Sequence, residues 1–573
     1  MRTATQHFVW PLALLHICLT VLASSSSREQ FDEKLTVDTL PDGRVASKFT
    51  FTTLLKGAIP RDPRSLGRED ESQHYTLFPL ALGQILREYA VTEMHLTLNA
   101  GNWDYKRWGY PEEKGVGTGA ELWAWMGDGA PSSIDERWKG LRNALAGLFC
   151  ASVGSLDALR TTSPPQSFSP EGSLPALATS SSSKPLPYHV RHATLPSENV
   201  CTENLTPFLK LLPCKSRAGL ARLLNPHRLF DADWHGMGVH VLWRDGKDDN
   251  GEGGVEVRLT FQTVMNPLRN SGFRSGKQDW AFHTLFDRII EDACPVAQTS
   301  EVLVGLPQSG AYVISPDPPS ISSPDEGSVA RFDVKTAKMP LNVEVKWLEA
   351  FTYPQLYNLS SSESKSSIQA PPFSAQRTLF GSSQAYGQLN VVVTNNRDVD
   401  IYALYLETMP WLIQFYLHTM EVRIGGVRRD DLLSQLTYIP AIPHGRPTTL
   451  QTLLHLPPRE TVHITMDVSK AFLRYTEHPP DAQRGWDIPG AVFTPVSVRE
   501  PIGNLSTSGN GHTAHIAPTG EGRVYTRALL VDLATPDFSM PYNVIIFTCT
   551  LVAGIFGTVF NLLTRKWVVV KID

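Results

Sequence analysis

Apolar and polar residues alternate with a period of two along much of this chain, which is the pattern of a β-strand with one buried face. The stretch GVEVRLTFQTV, residues 254–264, places its valine, leucine and phenylalanine side chains on one face, with Glu256 and Gln262 on the other. LNVEVKWLEA and ETVHITMDVS, residues 341–350 and 460–469, repeat this alternation. These stretches predict half-buried strands of antiparallel sheets.

Two further stretches hold a turn signal between strand patterns. TVDTLPDGRVASKFTFTTLL, residues 36–55, is predicted to be a hairpin that turns at the Pro-Asp-Gly of positions 41–43. VVVTNNRDVDIYALYLE, residues 391–407, is predicted to form two strands with a turn at the Asn-Asn of positions 395–396.

Helical periodicity is less frequent. In SSIDERWKGLRNALAGLFC, Ser133 and Glu136 have the spacing of a capping box. The apolar residues that follow recur on one helix face: Ile134, Trp138, Leu141, Leu145 and Leu148. LFPLALGQILREYAV, residues 77–91, and KQDWAFHTLFDRIIEDAC, residues 277–294, are predicted to be further helices.

The two ends of the chain carry long apolar runs. Residues 544–563 contain no Asp, Glu, Lys or Arg, and as a helix they reach about 30 Å, the thickness of a bilayer core. Residues 1–23 have the positive start, apolar stretch and small-residue exit of a signal peptide. Arg565 and Lys566 follow the terminal run, so we expect the tail, 564–573, in the cytosol. The chain is therefore predicted to be a single-pass type I membrane protein with its bulk outside the cytosol.

The terminal run could instead be a GPI-attachment signal that is removed. Such signals have a small-residue cleavage site and a polar spacer of about 8–12 residues before the apolar tail. The preceding VDLATPDFSMPYN is not an obvious spacer, and a basic tail follows the run. A permanent transmembrane helix is therefore favoured.

Segments rich in Ser, Pro and Gly divide the rest of the chain. We expect an N-terminal α+β unit at 24–160, a linker at 161–187, a middle unit at 188–358, a linker at 359–375 and a β-rich unit at 376–543. The predicted fold class is mainly β (α+β), with antiparallel β-sandwich-type domains, a few packed helices and one C-terminal transmembrane helix.

Composition limits the possible partners and compartments. The formal net charge is −5 and the isoelectric point is about 6.4, so nucleic acid is not an expected partner. Cys18 and Cys549 lie in the two terminal apolar segments. The remaining cysteines are available for disulfides in an oxidising compartment: Cys150, Cys201, Cys214 and Cys294. Sequons make three residues candidates for N-glycosylation: Asn204, Asn358 and Asn504.

One pair of motifs is similar to the catalytic pair of caspase-like proteases. His235-Gly236 precedes Asp292-Ala293-Cys294 at a suitable spacing, and such enzymes need an imidazole beside the thiol. In that fold both motifs follow buried apolar strands, whereas RLFDADW and RIIEDA are charged. We therefore interpret His235 as a turn residue and Cys294 as a structural cysteine.

No metal or cofactor site is predicted. DGKDDNGEGG, residues 245–254, is similar to a calcium loop, but its register puts Leu259 where the bidentate glutamate belongs. The sequence also lacks Walker, dinucleotide-binding, metalloprotease and nucleophile-elbow motifs. We expect a solvated hairpin turn there and a chain without catalytic residues.

Several blocks together resemble one family, PIG-T, the large luminal subunit of the GPI transamidase. The blocks are LFPLALGQIL, HLTLNAGNWDYKRWGYP, GAELWAWM, GLFCAS, VCTENLTPFLKLLPCKSRAGLARLL, DWAFHTLF, ETMPWLIQFYLHTM and TPDFSMPYNVIIFTCTLVAGIFGTVFNLLTR. They extend from residue 77 to residue 565, so the resemblance covers nearly the whole chain.

The resemblance implies a non-catalytic subunit of the endoplasmic reticulum membrane, with most of the chain in the lumen. In this family the complex removes a C-terminal signal from a proprotein and joins the new carboxyl end to the ethanolamine of a GPI lipid. The protease-like chemistry belongs to a separate caspase-like subunit, PIG-K. The implied partners are thus PIG-K, other subunits, the GPI lipid and the proprotein signal.

The motif VCTENL implies that Cys201 forms the interchain disulfide to PIG-K. An internal Cys201–Cys214 bond is the alternative. If Cys201 bridges outward, then Cys150, Cys214 and Cys294 remain for a possible internal disulfide.

Two groups of residues near the span are candidates for contact with the GPI lipid or with partner subunits. Small and polar residues recur at spacings of three and four on one helix face: Thr550, Gly554, Gly557, Thr558 and Asn561. Polar residues precede the span on the luminal side: Asp537, Ser539, Tyr542 and Asn543. The alternatives are composition drift in a plain anchor and interfacial anchoring by Phe538 and Tyr542.

Two classes of function remain open. The first is a scaffold that helps position the GPI lipid and the proprotein for a separate catalytic subunit. The second is a self-sufficient luminal cysteine hydrolase or a receptor-like type I ectodomain.

Overall fold

The computed structural model describes residues 28–177, 186–245, 253–270, 278–306, 312–322, 328–348, 371–478, 485–499, 515–519, 522–534 and 539–572. The predicted signal peptide, Asn358, Asn504 and Asp537 lie outside these ranges. The described chain is mostly β, as the sequence predicts, and ends in one long apolar helix.

The strands up to residue 348 are β1 (Glu29–Thr39), β2 (Val45–Lys56), β3 (Val91–Ala100), β4 (Gly119–Gly127), β5 (Thr161–Thr162), β6 (Tyr188–Leu195), β7 (Trp234–Arg244), β8 (Gly254–Met265), β9 (Trp280–Ala281), β10 (Thr299–Leu306), β11 (Tyr312–Ser315), β12 (Ser320–Ser322), β13 (Ser328–Asp333) and β14 (Glu344–Trp347). The later strands are β15 (Phe373–Phe380), β16 (Tyr386–Asn395), β17 (Ile401–Met409), β18 (Ile413–Phe415), β19 (Glu421–Ile424), β20 (Val427–Arg428), β21 (Leu433–Ile439), β22 (Thr448–Leu456), β23 (Thr461–Lys470), β24 (Trp486–Ile488), β25 (Val492–Arg499), β26 (His515–Pro518), β27 (Val524–Tyr525) and β28 (Leu529–Val531).

The α-helices are α1 (Leu80–Glu88), α2 (Tyr105–Trp108), α3 (Ile134–Phe149), α4 (Thr202–Leu211), α5 (Pro226–Leu229), α6 (Pro267–Asn270), α7 (Phe282–Phe286) and α8 (Ser539–Thr564). Short 3₁₀ turns occupy Pro63–Ser65, Ser152–Ser155, Leu220–Leu223, Leu417–Thr419, Asp430–Leu432 and Tyr475–Glu477.

A single large sheet joins the two units that the sequence analysis separates. Its eleven strands lie in the order β12-β13-β10-β1-β2-β8-β7-β3-β4-β6-β5. One continuous apolar core extends from Phe31 to Val345 and contacts helices α1, α3 and α4. The predicted division into separate units at 24–160 and 188–358 is therefore wrong, because strands from both ranges pair within one sheet.

The predicted linker at 161–187 is also wrong over the part that the structure describes. Thr161 and Thr162 form strand β5, which pairs with β6. Phe168 and Leu177 are buried despite the Ser- and Pro-rich sequence around them. Composition was misleading here because a few apolar side chains are enough to fix a segment that lies across a sheet.

Local signals in the sequence located the first hairpin and the main helix. Strands β1 and β2 pair antiparallel around the predicted turn at 41–43, where Gly43 has φ +77°. The side chain of Ser133 accepts a hydrogen bond from the backbone N–H of Glu136, and the reciprocal bond completes the predicted capping box. Helix α1, Leu80–Glu88, forms within the predicted range 77–91, although Val91 already begins strand β3.

The predicted helix at 277–294 is only partly formed. The helical part, α7, has five residues and ends at Asp287, which adopts a left-handed conformation with φ 55°. Ile290 then forms an antiparallel bridge with Leu341. Tertiary pairing with the strand segment near 341 thus takes precedence over helical periodicity.

The C-terminal unit is a sandwich of two antiparallel sheets. One has the order β15-β16-β23-β19-β20, with β18 also on β23, and the other has the order β21-β22-β17-β25-β26, with β27 also on β25. The predicted strands of 391–407 exist as β16 and β17, but each lies in a different sheet, so they form no hairpin. The unit begins at Phe373, inside the range predicted as a linker, and residues 359–370 are not described.

The C-terminal unit covers part of the polar face of the large sheet. Strand β8 alternates as predicted, yet Glu256 and Gln262 are buried rather than solvated. An aromatic cluster joins the two parts, with Trp123 of the large sheet in the same core as Val492 and Tyr525 of the sandwich. The expectation of half-buried strands was wrong in this region because other parts of the folded chain take the place of solvent, and around Trp123 these include the sandwich.

Helix α8 contains the predicted span, 544–563. Its apolar part, Tyr542–Thr564, is long enough to cross a bilayer and is not buried by the described parts of the chain. The 26-residue helix measures roughly 39 Å at 1.5 Å per residue.

Candidate functional site

The Cys201 thiol lies at the beginning of helix α4 and faces solvent. The backbone of Cys201 is extended, with φ −136° and ψ 179°, and its N–H donates a 2.7 Å hydrogen bond to Oδ1 of Asn204. This bond gives the first turn of the helix a cap. The backbone of Cys201 is therefore held in place while its thiol stays accessible, since Cys201 is an exposed, unpaired cysteine.

Asn204 links this helix start to the end of α3. Its Nδ2 donates to the carbonyl oxygens of Phe149, at 2.8 Å, and Cys150, at 3.3 Å. Cys150 has a left-handed conformation, with φ 52°, and is the second exposed, unpaired cysteine of this region. One buried amide thus fixes the backbone beside both thiols.

The predicted glycosylation of Asn204 is wrong in this fold. The residue is 1% exposed, and the nitrogen that would carry a glycan donates to two backbone carbonyls. The sequon and the capping role use the same side chain, and only the three-dimensional structure distinguishes them. The sequence alone gave one signal for the capping role, since Asn204 stands three residues after Cys201.

Cys214 and Cys294 form a disulfide, with their Cα atoms 6.0 Å apart. The alternative Cys201–Cys214 bond is therefore not formed. Cys294 is completely buried, so the bond fastens the 3₁₀ and loop region after α4 to the main core. Cys150 takes no part in an internal disulfide in this structure.

The caspase-like pair does not assemble. Cys294 is part of a disulfide, so it has no thiol to ionise. This agrees with its interpretation as a structural cysteine. His235 lies within strand β7 rather than in the predicted turn, and Phe230 packs edge-on against its ring. Burial lowers the pKa of His235, which keeps this imidazole neutral. Among the residues that the structure describes, no group of three or more His, Cys, Asp or Glu side chains could hold a metal ion.

Histidines and carboxylates form a buried chain on the polar face of the large sheet. Nδ1 of His95 lies 2.9 Å from Nδ1 of His240, and Nε2 of His95 lies 3.1 Å from Glu93. Glu113 approaches the other end of the chain, 3.5 Å from Nε2 of His240. Burial is the main cause that lowers the pKa of His240 to about 3. Sequence analysis missed this group because its members come from distant parts of the chain.

A second buried group fastens the sandwich to the sheet. The phenol of Tyr525 donates to Glu121 at 2.8 Å, and Nε2 of His192 lies 3.0 Å from the same carboxylate. Burial opposes ionisation of Glu121, but His192 and Arg523 lower the pKa of this carboxyl overall. Arg523 also stacks over Trp123, with its guanidinium carbon 4.9 Å from the ring centre. The residues that join the two units are therefore charged and aromatic.

Helix α8 presents the small residues on a shallow groove. Thr550, Gly554 and Thr558 line it together with larger apolar residues. The hydroxyls of Thr550 and Thr558 donate to helix carbonyls four residues earlier, at 2.7 Å each, so the groove surface is largely apolar. A Cβ added at Gly554 or Gly557 would meet no atom of this chain within 4 Å.

The structure does not bring all the candidates near the membrane together. Tyr542 and Asn543 are exposed in the first turns of α8, Ser539 begins the helix and Asn561 is exposed near its end. Asp537 is not described. The Cys201 site belongs to the large sheet and its helices, whereas α8 continues from the sandwich.

Comparisons with known proteins place these features in a family. A family model described as Gpi16 subunit, GPI transamidase component, matches residues 15–573. The GPI-anchor transamidase component PIGT of Mus musculus is 34% identical over 565 residues, which cover 94% of this chain and 90% of that protein. The GPI transamidase component GPI16 of Saccharomyces cerevisiae is 29% identical, over 94% of this chain and 89% of that protein.

A solved structure carries less information. A glycoside hydrolase family 20 β-N-acetylglucosaminidase from Vibrio harveyi aligns over 29% of this chain and 19% of its own, with 13% identity and a TM-score of 0.15. This overlap is too small to indicate a common fold or activity.

Proposed function

Because this chain belongs to the Gpi16 family of GPI transamidase components, we propose that it is the non-catalytic luminal subunit that holds the caspase-like subunit PIG-K. It helps position the GPI lipid and the proprotein for transfer. Its single span anchors it in the endoplasmic reticulum membrane in type I orientation, with the large sheet and the sandwich in the lumen.

The observation that carries this proposal is the accessible thiol of Cys201 on a backbone held by Asn204. Cys214 is bonded to Cys294, so it does not compete for Cys201. The hydrogen bond between the Cys201 N–H and Asn204 limits the positions that the sulfur can reach. A thiol that is exposed and held by its backbone suits a disulfide to another chain, because such a bond needs Cα atoms about 4.4–6.8 Å apart.

The state of Cys294 supports the assignment of catalysis to another subunit. Cys294, in the motif most similar to that of a protease nucleophile, is part of a disulfide. His235, the histidine of the same pair of motifs, is a buried strand residue. The hydrolase alternative would need a free thiol at this position. A receptor-like ectodomain is disfavoured by the family match along the whole chain.

The span has a second role in this proposal. The apolar groove of α8 around Gly554 allows another helix or a lipid to approach its backbone closely. The exposed polar residues in the first turns of α8, including Tyr542 and Asn543, would in this orientation lie at the luminal face of the bilayer, where a GPI headgroup would meet the complex. We assign them to the positioning of that headgroup.

Non-reducing electrophoresis of the complex, purified in mild detergent, tests the proposal. Cys201→Ser is expected to abolish the reducible heterodimer with the catalytic subunit, because the only sulfur that bridges the chains is removed. Cys150→Ser is the matched control, since it removes the neighbouring exposed thiol and is expected to leave the heterodimer intact. A heterodimer that persists in Cys201→Ser would contradict the assignment.

The role of the span is tested separately. Replacement of residues 536–563 by an unrelated apolar anchor is expected to keep the protein in the membrane and to reduce transamidation. Full activity of this chimera would show that the span and the residues before it act as an anchor alone.

A further inference from the structure

Three aromatic side chains stand out on the surface of the sandwich. Among the aromatic side chains that the structure describes before α8, only Phe380, Tyr386 and Phe472 are more than half exposed, at 57%, 63% and 77%. Single exposed apolar residues are normal, but several in one place mark a surface that meets another apolar phase. The question is therefore whether these three residues lie together on the surface of the sandwich.

All three lie at the same end of the sandwich. Phe380 ends β15 and Tyr386 begins β16, so both flank one hairpin loop. Tyr386 pairs with Ser469 of β23, and Phe472 follows this pairing by three residues. The loop between the first two is fixed, because buried Lys470 donates from Nζ to the carbonyl of Ser383 at 3.0 Å.

This is also the end at which the chain leaves the sandwich toward α8. Arg377, in β15, donates to the carbonyl oxygen of Arg527 at 3.3 Å. Upstream, Phe373 packs against Phe493, with ring centres 6.1 Å apart, and Phe493 pairs with Val524. Strand β15 therefore runs beside segment 524–531 in the same direction. The hairpin loop begins four residues after Arg377, and Val531 lies four residues after Arg527. Because the two segments run in the same direction, the loop and Val531 lie at the same end of the sandwich.

The connection from this end to α8 is short. Leu533 is still buried in the sandwich core, and α8 begins at Ser539. The five Cα–Cα steps from residue 534 to residue 539 span at most ~18 Å when fully extended. The apolar part of α8 begins three residues later, at Tyr542. The exposed aromatic residues thus lie close to the level at which the span enters the bilayer.

The opposite end of the sandwich has a different chemistry. There Arg459 forms a two-pronged ion pair with Asp398, at 2.6 and 2.9 Å, and His455 lies 2.8 Å from Asp400. Ionic and polar pairs such as these favour solvent, whereas exposed aromatic rings favour the boundary between headgroups and acyl chains. The two ends are therefore distinguished by side-chain chemistry as well as by the position of the span.

We propose that Phe380, Tyr386 and Phe472 form a membrane-contact surface that inserts into the luminal headgroup–acyl boundary of the bilayer beside α8. This inference rests on the proposed function, because it needs α8 to span the membrane. The surface gives the sandwich a second attachment to the bilayer and restricts its rotation about the short connection to the helix.

Photo-crosslinking of the full-length chain in its membrane complex tests this proposal. The residues at positions 380, 386 and 472 are replaced one at a time by p-benzoyl-L-phenylalanine, and the adducts formed on irradiation are identified by mass spectrometry. Val399 is the matched control, because it is also 57% exposed but lies at the opposite end. A probe at Phe556, in the middle of α8, reports on the span itself.

Phospholipid adducts at all three aromatic positions, several-fold above position 399, are the expected result. Adducts with another protein subunit, or none, at these positions would overturn the proposal if the probe at 556 still reacts within the membrane. A probe at 556 that reacts with neither lipid nor another membrane helix would overturn the span, and with it both this inference and that part of the proposed function. The two failures are thus distinguishable.

Discussion

Oδ1 of Asn204 lies 2.7 Å from the backbone nitrogen of Cys201, and the amide of the same side chain is buried against the end of helix α3. A residue that the sequence presents as a glycosylation site therefore acts as a clamp beside the thiol that we assign to the interchain bond. The first prediction follows from this relationship.

Thr206→Ala removes the sequon without touching the clamp, because the Thr206 hydroxyl donates only to the carbonyl of Thr202 in the exposed part of the helix. We expect unchanged electrophoretic mobility for this variant, since Asn204 is too buried to carry a glycan. Asn204→Ala should lower the free energy of unfolding by about 1–3 kcal/mol, through loss of the cap and two buried hydrogen bonds. A mobility shift in both variants would restore the glycosylation interpretation.

The Cys214–Cys294 bond is expected to stabilise the protein without joining it to a partner. The double variant Cys214→Ala, Cys294→Ala should lose about 2–5 kcal/mol of unfolding free energy, because the bond closes a long loop in the unfolded chain. Thermal unfolding in detergent measures this loss. The reducible heterodimer should persist, whereas its disappearance would implicate one of these cysteines in the interchain bond.

The contact between the sandwich and the large sheet depends on Arg523. Arg523→Leu removes the cation that faces Glu121 and Glu171, and we expect it to cost about 3 kcal/mol of stability because buried Glu121 and partly buried Glu171 both lose a nearby positive charge. Tyr525→Phe removes the hydroxyl that donates to Glu121 but leaves the charges in place, and it should cost about 1–2 kcal/mol.

Thermal unfolding of the purified chain ranks these two variants. Tyr416→Phe, on the sandwich surface, serves as a control with an expected change within about 0.5 kcal/mol. Equal effects of all three variants would show that the buried charges do not hold the units together.

Glu33 gives the stability of the large sheet a pH dependence of definite sign. Burial raises the pKa of Glu33 from 4.5 to about 7, against the opposing hydrogen bonds from Ser300 and Leu220. Between these two values the folded state keeps a proton that the unfolded state has lost. The contribution of Glu33 to the free energy of unfolding is thus fully present below pH 4.5 and decreases as the pH rises to 7.

Glu33→Gln should remove this dependence. The variant is expected to match the parent near pH 4.5 and to exceed its unfolding free energy by up to about 3 kcal/mol at pH 8, from 1.36 kcal/mol per pKa unit. Melting temperatures at the two pH values measure the difference. A variant that is less stable than the parent at pH 8 would show that the carboxylate is favoured in the fold.

The groove of α8 is predicted to pack against another helix of the complex. Gly554→Leu with Gly557→Leu should leave membrane integration unchanged, because the span becomes more apolar, but should reduce co-purification of partner subunits by blocking close approach of a backbone. Val552→Leu, on another face, is the control. Undiminished co-purification of the double glycine variant would exclude packing of this groove against a helix of a partner subunit.

The sequence was a good guide wherever a signal is local. The capping box of Ser133 and Glu136, the hairpin turn at 41–43 and the terminal apolar run each depend on neighbouring residues, and the structure contains all three. It was a poor guide at Asp287, where a left-handed residue ends a helix whose periodicity continues. Local propensity is weak compared with a strand pairing made by residues fifty positions away.

In the candidate site, too, the sequence reveals local motifs but not the contacts between distant residues. The motif around Cys201 is visible in the sequence, but the role of Asn204 and the pairing of Cys214 with Cys294 are not. Four cysteines allow three complete pairings, and the choice depends on which Cα atoms come within about 7 Å. That distance is set by the folded core, which no local pattern encodes.

By itself, the sequence determined the class of this protein: a mostly β chain with apolar runs at both ends, because strand alternation and an uncharged run of twenty residues are properties of the residues themselves. Only the tertiary structure decided what covers the polar face of the large sheet. Glu121 alternates with apolar neighbours as solvent-facing residues do, yet it is buried and accepts a hydrogen bond from Tyr525 of the sandwich. Alternation fixes which face a side chain occupies, whereas the medium on that face depends on packing between units distant in the chain.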